Sequence, residues 1–304
     1  MGNVAAWVQA LRPLAQANLA SPLLCGAALA WRRQPGDPAE PVALMIAAGL
    51  GFTILAQPCI VFLNDVHDAE ADAHNDAPTP FSGGSRVIVE GKISARALRS
   101  GAALCAGVFL SASALFGLLA DRLATPAFAA LTLALSWLYS APPFRGSMGR
   151  AGLWLQAAGT GAVLPLLGGY LVTGELQSLP AGVVLVLVCL GGANHILTTL
   201  PDRRADLRVH KRTYAVRCGP AVSRRHAVQI VLAMTACTPW VLEFSRPWAS
   251  VIIVGVCAGL CVSALSLLRR ADVEARGATL AFVIIVAAAI QILELGWALA
   301  ASLG

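Results

Sequence analysis

Charge is scarce in this sequence. Only 12% of its residues are Asp, Glu, Lys or Arg, about half the roughly 25% of a soluble domain. That scarcity, with 57% hydrophobic residues and a mean hydropathy of +0.71, excludes a water-soluble globular fold. Ten-residue segments of alternating apolar and polar character are missing. Their absence excludes a transmembrane barrel and leaves helices as the spanning element. No Cys-x-x-Cys pair occurs among Cys25, Cys59, Cys105, Cys189, Cys218, Cys237, Cys257 and Cys261. Seven of these lie in or beside apolar runs, so they read as small buried hydrophobes rather than disulfides or zinc ligands. A convincing processing site is missing too. The first apolar run follows Arg12-Pro13, and no cleavable signal peptide is expected.

Long apolar runs are what the chain has instead. Nine candidate spans are expected, at 14–31, 42–63, 96–120, 124–141, 152–173, 180–200, 226–243, 248–268 and 278–303. Each approaches or exceeds the roughly 20 residues that cross a hydrocarbon core. Residues 5–12 read as a short interfacial helix with Trp7 at headgroup depth. The net charge of +6 would suit a nucleic-acid partner, but its distribution does not. With the N-terminus in the cytoplasm, 18 of the 22 Lys and Arg residues fall on that side, and only Arg32, Arg33, Arg122 and Arg246 on the other. This is the asymmetry of a multi-pass membrane protein with cytoplasmic N-terminus and polar loops.

The sixteen acidic residues are unevenly spread: Asp65, Asp68, Glu70, Asp72 and Asp76 lie within twelve positions after the second span. If that stretch is helical, Asn64, Asp68 and Asp72 recur every four residues on one face, with Asp65 beside them. Like charges so placed repel unless a cation sits on them. Hard oxygen ligands on one face suit Mg²⁺, which takes a few carboxylates plus phosphate oxygens. A solvated acidic loop is the plainer alternative. The polar loop continues into Ser82-Gly83-Gly84-Ser85-Arg86, small residues and a guanidinium that can cradle an anion.

A second acidic pair, Asp202 and Asp206, follows the sixth span at the same spacing of four. A shift of 138 residues lays Asn64 on Asp202, Asp68 on Asp206 and Asp72 on His210. This suggests one domain, 1–304, holding an internal repeat at roughly 14–141 and 152–268, with a ninth helix at 278–303. Other polar residues are sparse. Asn18 and Ser21 read first as helix–helix hydrogen-bonding groups. Gln57-Pro58 marks a kink, and Gly159, Gly161, Gly168 and Gly169 mark close packing or room for an apolar ligand. Glu294 lies inside the ninth span and is expected to need a partner. Trp137 and Tyr139, ahead of Pro142-Pro143, are interfacial aromatics or an aromatic wall near a cationic intermediate.

These motifs together resemble the UbiA-type intramembrane prenyltransferases. Asn64-Asp65-x-x-Asp68-x-x-x-Asp72 resembles that family's first aspartate-rich motif and Asp202-x-x-x-Asp206 its second. Tyr139-Ser-Ala-Pro-Pro-Phe-Arg145 is similar to the segment after its fourth helix, where Lys is more usual than Arg145. The run Lys211-Arg212-Thr213-Tyr214-Ala215-Val216-Arg217-Cys218-Gly219 most resembles the menaquinone-pathway branch, the 1,4-dihydroxy-2-naphthoate prenyltransferases, with His210 where Gly is usual. The resemblance implies an all-α polytopic membrane protein of a bacterial inner membrane: nine helices around a central cavity that opens to lipid, under a cytoplasmic cap. It implies Mg²⁺-dependent transfer of a polyprenyl group from a polyprenyl diphosphate to an aromatic or quinone-precursor acceptor.

Carried onto this chain, the family's chemistry assigns Mg²⁺ to Asn64, Asp68, Asp72, Asp202 and Asp206, with Asp65 as a direct or supporting partner. Arg86, Arg145 and Lys211 would neutralise the diphosphate, and Tyr139 would face the carbocation. Asn18, Asn64 and Ser82 are further candidate substrate contacts, and His67, His195 and His210 candidate bases. Two rivals remain at this point: a terpene cyclase on the same scaffold, and a membrane transporter.

Overall fold

The computed structural model describes residues 4–33, 42–76, 78, 79, 82–270 and 276–303. Among them the regular structure is helical. In chain order the helices are α1 (Val4–Ala10), α2 (Ala17–Trp31), α3 (Val42–Ala73), α4 (Ala95–Leu119), α5 (Thr125–Ser140), α6 (Ala151–Ala158) and α7 (Leu164–Thr173). They continue with α8 (Ala181–Thr199), α9 (Arg203–Arg208), α10 (Tyr214–Cys218), α11 (Pro220–Ala236), α12 (Thr238–Val241), α13 (Pro247–Arg270) and α14 (Arg276–Ser302). Phe81 and most of the expected turn between the first two spans lie outside the described residues.

Among the described residues seven helical stretches are long and apolar enough to cross a membrane: Val4–Trp31, Val42–Ala73, Ala95–Leu119, Ala151–Thr173, Ala181–Thr199, Pro247–Leu267 and Gly277–Ser302. The expected count was nine. The two that fall short by this measure are α5, with 16 residues, and α11, with 17. Three boundaries differ from expectation. The second span was expected to end at Leu63, with a polar loop from Asn64; instead α3 runs on to Ala73. No Gly or Pro interrupts it after Pro58, and Asp65 and Ala71 on its extension are buried. The seventh span was placed at 226–243. The helix begins at Pro220, a residue suited to the first turn because its missing N–H is not needed there, and ends at Ala236 before Thr238-Pro239. The fifth span is broken by a π-helical turn over Gly159–Val163. A Cβ on Gly161 would lie 2.4 Å from the Leu187 carbonyl oxygen, so α8 crosses where only glycine leaves space.

α2 is the seam of the molecule. Leu19, Leu23 and Ala27 pack with Phe52, Phe109 and Leu167 of α3, α4 and α7. Cys25, Ala28 and Leu29 join the other core, built on α8, α11, α13 and α14 around Leu187, Phe282 and Trp297. Lipid is as apolar as these side chains, so association rests on close fit rather than on escape from water. The α2–α7 contact shows that fit: a Cβ on Gly26 would meet the Pro165 carbonyl oxygen at 2.0 Å, and one on Gly168 the Leu23 carbonyl oxygen at 2.1 Å. Inside the second core Glu294 accepts a 2.6 Å hydrogen bond from Ser21 Oγ, which answers the partner question that the sequence raised.

Candidate active site

The last turns of α3 carry the first acidic patch. Helical spacing brings Asn64, Asp68 and Asp72 to one face, and all three line a common cavity. Asn64 Nδ2 donates to Asp68 Oδ2 at 3.0 Å. Asp65 is off this face and off the cavity wall. It is 3% exposed, accepts the Ser85 N–H at 3.2 Å and faces an Arg12 guanidinium nitrogen at 3.8 Å.

The glycine-rich segment that follows wraps back over the end of α3. Gly83 and Gly84 have φ of 80° and 65°, values that glycine reaches without Cβ strain. At Gly84 a Cβ would stand 2.0 Å from Asp72 Oδ2, so this residue lets the carboxylate lie against bare backbone. Ser82 is buried, its hydroxyl 2.9 Å from that of Thr79. Arg86 donates to the Asp72 carbonyl at 2.9 Å and faces Glu90 at 3.6 Å. Arg145 likewise donates to the His67 carbonyl at 3.2 Å. Ser82, Arg86 and Arg145 therefore sit outside the cavity wall, and the segment clasps α3 where an open anion cradle was expected.

The second patch arrives with α9: Asp202 stands immediately before its first residue, Asp206 lies on it, and Lys211 follows in the turn after it. Asp202 Oδ1 accepts from Asn75 Nδ2 at 2.8 Å, which ties the two patches directly. The chain reverses at His210, whose φ is 57°, and the Lys211 N–H donates to the Asp206 carbonyl at 2.9 Å. That turn plants Lys211 Nζ 2.9 Å from Asp68 Oδ1 and 3.8 Å from Asp206 Oδ1. Thr213 Oγ1 donates to the other Asp206 oxygen at 3.1 Å. Burial, and then the charge of Asp206, push the Asp202 carboxyl up to about 7. Burial also raises Asp206 to about 6, against the pull of Lys211 and Thr213. Burial works to lower Lys211, but Asp68 and Asp206 outweigh it and hold the ammonium above its usual value. Among the described residues no three acidic, imidazole or thiol groups converge on one metal position.

The cavity has a volume of about 500 Å³ and runs from these acids into the bundle. Leu19, Ile60, Leu135, Leu164 and Ile284 give it an apolar lining. One wall is polar but uncharged: Gln156, Thr160, Asn194 and Thr198 of α6, the π turn and α8. Tyr139 lines it, its ring edge-on to His195 with centroids 6.0 Å apart. His195 lies behind the wall, its Nδ1 2.9 Å from Gln156 Oε1. His67 and His210 are also off the wall. Asn18 lines the cavity and accepts from Gln291 Nε2 at 3.4 Å. Of the residues singled out from sequence, Asn18, Asn64, Asp68, Asp72, Tyr139, Asp202, Asp206 and Lys211 share this one space. The sequence reading missed Arg12, Asn75, Gln156, Asn194 and Thr213. Arg12 had a signal, as a cation directly before the first span; it was read only as a flank. The amides carried none, because an Asn or Gln in a span looks the same whether it faces a neighbour or a ligand.

A search of curated proteins finds no match. A structure of a UbiA homolog from Archaeoglobus fulgidus bound to GPP and Mg²⁺ is similar to the chain with a TM-score of 0.68 and 16% identity, over 96% of this chain and 99% of that one. The same homolog bound to DMAPP and Mg²⁺ also gives 0.68 and 16%, over 95% and 98%. A digeranylgeranylglyceryl phosphate synthase gives 0.62 and 15%, over 98% of both chains. At such identities these likenesses speak for the fold. The UbiA prenyltransferase family model matches residues 19–293. That match covers nearly the whole helical bundle, and the chain therefore belongs to the UbiA prenyltransferase family: it is a multi-pass integral membrane enzyme that transfers prenyl groups.

Proposed function

We propose that this enzyme transfers a polyprenyl group from its diphosphate to an electron-rich aromatic or quinone-precursor acceptor, with 1,4-dihydroxy-2-naphthoate the first candidate. One observation carries the reading: both acidic patches open into one cavity whose far side is apolar and whose wall is amide and hydroxyl. The acids fit Mg²⁺ in number and kind. Three side chains of the first patch and two of the second flank a common space without, among the described residues, forming an all-protein cage, and Mg²⁺ takes its remaining oxygens from phosphate and water. Asn64, Asp68 and Asp72 on one side, and Asp202 and Asp206 on the other, would hold it, with Asp65 supporting through the Ser85 loop. Mg²⁺, when bound, supplies Lewis-acid stabilisation of the departing diphosphate.

The chain's own residues do the rest. Lys211 neutralises phosphate charge from the acid side. Arg86 and Arg145 hold the backbone on which the acids are mounted. The apolar lining takes the tail, at about 0.8 kcal/mol per buried CH₂. Tyr139 presents an electron-rich ring beside the allylic carbon as its C–O bond breaks. The acceptor carbon forms the new C–C bond and releases its proton, or a carboxyl group as CO₂, while diphosphate leaves. The uncharged polar wall favours an acceptor over a cyclase, whose cation needs apolar surroundings. Acids at one mouth rather than along a two-sided path disfavour a transporter.

The membrane arrangement follows from the same reading. α5 and α11 complete nine spans despite their length. The acid end lies on the cytoplasmic side, capped by residues 82–93 and α9–α10. The molecule is one domain built as an internal repeat, 14–141 and 152–268, plus a last helix. The test is direct. Purified enzyme in detergent is given Mg²⁺, geranyl or geranylgeranyl diphosphate and a panel of aromatic acceptors, and products are identified by mass. Prenylated acceptor, abolished by EDTA and restored by Mg²⁺, is expected. Cyclised hydrocarbon from the donor alone, or turnover indifferent to EDTA, contradicts the assignment.

A further inference from the structure

The uncharged wall of the cavity carries four polar side chains, and two of them are already engaged. Thr160 Oγ1 donates to the Gln156 carbonyl at 2.9 Å, and Thr198 Oγ1 to the His195 carbonyl at 3.1 Å. The two carboxamides are left. Asn194 lines the cavity, is only 6% exposed, and makes no hydrogen bond from either end of its side chain to a described residue. Buried polar groups are as a rule hydrogen-bonded, so a carboxamide this deep and this free marks a place that a ligand completes.

Gln156 is half committed. Its Oε1 lies 2.9 Å from His195 Nδ1. A carbonyl oxygen only accepts, so Nδ1 carries the hydrogen, and Gln156 Nε2 stays on the cavity wall without a partner among the described residues. The helices are shaped for this contact. At Gly191 a Cβ would stand 2.6 Å from Thr160 Oγ1 and 3.1 Å from the Ala157 Cα, so bare backbone lets α8 close on α6 one turn before His195. His195 itself is 2% exposed and off the wall. With Nδ1 committed and the ring shut away from the cavity, it acts through Gln156 rather than as a base. Its ring also meets Tyr139 edge-on, which sets the two carboxamides beside the ring assigned to the allylic carbon.

We propose that Asn194 and Gln156 dock the acceptor by a ring hydroxyl that keeps its proton, and that His195 is the positioning residue that fixes the Gln156 amide toward it. This rests on the aromatic-acceptor assignment above. A hydroxyl both donates and accepts. Asn194 takes its hydrogen on a carbonyl oxygen, and the Gln156 N–H donates to its oxygen. No charged side chain belongs to this wall, so an ionised oxygen gains least there. The docking pair is also apart from the diphosphate: Asn194 precedes Asp202 by eight residues, about 12 Å of helical rise.

The experiment compares 1,4-dihydroxy-2-naphthoate with its 1,4-dimethyl ether, which keeps the ring and carboxylate and loses the hydroxyl hydrogens. Geranyl diphosphate and Mg²⁺ are supplied in detergent. The ether is scored by turnover or, where that is too slow, as an inhibitor of the hydroxylated ring. Wild type should prefer the hydroxylated ring by at least about 100-fold, because the ether leaves buried amides unpaired. Asn194→Leu and Gln156→Leu should each lose about 10-fold in kcat/KM on the hydroxylated ring, the scale of one hydrogen bond. Both should lose little on the ether, and their KM for geranyl diphosphate should stay within about threefold, the scale of uninvolved changes. His195→Phe should match Gln156→Leu and add nothing to it in the double variant, since both remove one interaction. His195→Asn, which restores an N–H near Nδ1, should recover part of the loss. If His195→Phe does not fold, the Asn194 and Gln156 variants, whose side chains face open space, decide the matter. Equal losses on both rings, a raised KM for the donor, or a His195→Phe loss that adds in full to that of Gln156→Leu overturns the inference. Equal use of both rings by wild type overturns it too, while leaving the aromatic-acceptor assignment standing. Failure to prenylate either ring removes both.

Discussion

At the scale of single residues, the site is a balance of buried carboxylates around one ammonium. Lys211 stands between Asp68 and Asp206, so the acids outnumber the ammonium, and the excess is what a divalent cation would neutralise. Asp68→Asn or Asp206→Asn is expected to lower prenyl transfer by at least about 100-fold, in line with the loss of a charged group acting on a transition state, while the protein still elutes as a folded species in detergent. Near-normal turnover of either purified variant would refute their assignment to the metal. Acidity adds a second prediction. Asp202 and Asp206 are raised to about 7 and about 6, burial being the main cause. Their unfolded-state values are near 3.9. A carboxyl raised in the fold favours folding while protonated, and that contribution is lost as pH climbs from about 4 to about 7. The metal-free protein should therefore show a thermal midpoint that falls from about pH 4 to about pH 7, less so in Asp202→Asn. Mg²⁺ with pyrophosphate should raise the midpoint more at pH 8 than at pH 5.5. A flat profile without metal would contradict the burial argument.

At the scale of elements, a helix that outruns its membrane span and a glycine turn folded against it make the site. The i, i+4 recurrence of Asn64, Asp68 and Asp72 was legible in the sequence, and so was the paired recurrence of Asp202 and Asp206. The continuation of α3 to Ala73 was not, because polarity alone cannot separate a loop from a helix whose polar face is buried by other parts of the chain. The role of Ser82-Gly83-Gly84-Ser85-Arg86 was also hidden. The Ser85 N–H and the Arg86 guanidinium are spent on Asp65 and on the end of α3, a matter of direction that residue types do not reveal. Gly84 tests this element. Gly84→Ala must place a Cβ at φ +65° and within 2.0 Å of Asp72 Oδ2. The strained backbone alone costs about 1–3 kcal/mol. The expected result is a lower melting temperature together with at least about tenfold weaker stabilisation by Mg²⁺–pyrophosphate, read by thermal shift. Gly91→Ala is the control: it shares the positive φ, at 67°, but has nothing within 4 Å to displace. Equal effects of the two would mean that strain, not the Asp72 contact, is what Gly84 relieves.

At the scale of the whole molecule, α2 joins two helix groups and the cavity lies where they meet. Close approach of α2 to α7 sets that geometry, so Gly168→Val, which drives side-chain carbons into the Leu23 carbonyl, should destabilise the protein and blunt prenyl transfer even though Gly168 is remote from the acids. A wild-type melting curve and turnover for that variant would remove the seam from the account. The amino-acid sequence by itself determined that this chain lives in a membrane, that its spans are helical, and which two stretches concentrate oxygen ligands. Those follow from hydropathy, backbone hydrogen bonding in lipid and helical periodicity, which are local properties. Only the tertiary structure decided that the two patches meet through Asn75 and Lys211, that Arg86 and Arg145 serve the backbone, and that Arg12 turns inward. Each of these depends on where a side chain points after separate helices and turns have packed, and no local pattern carries that direction.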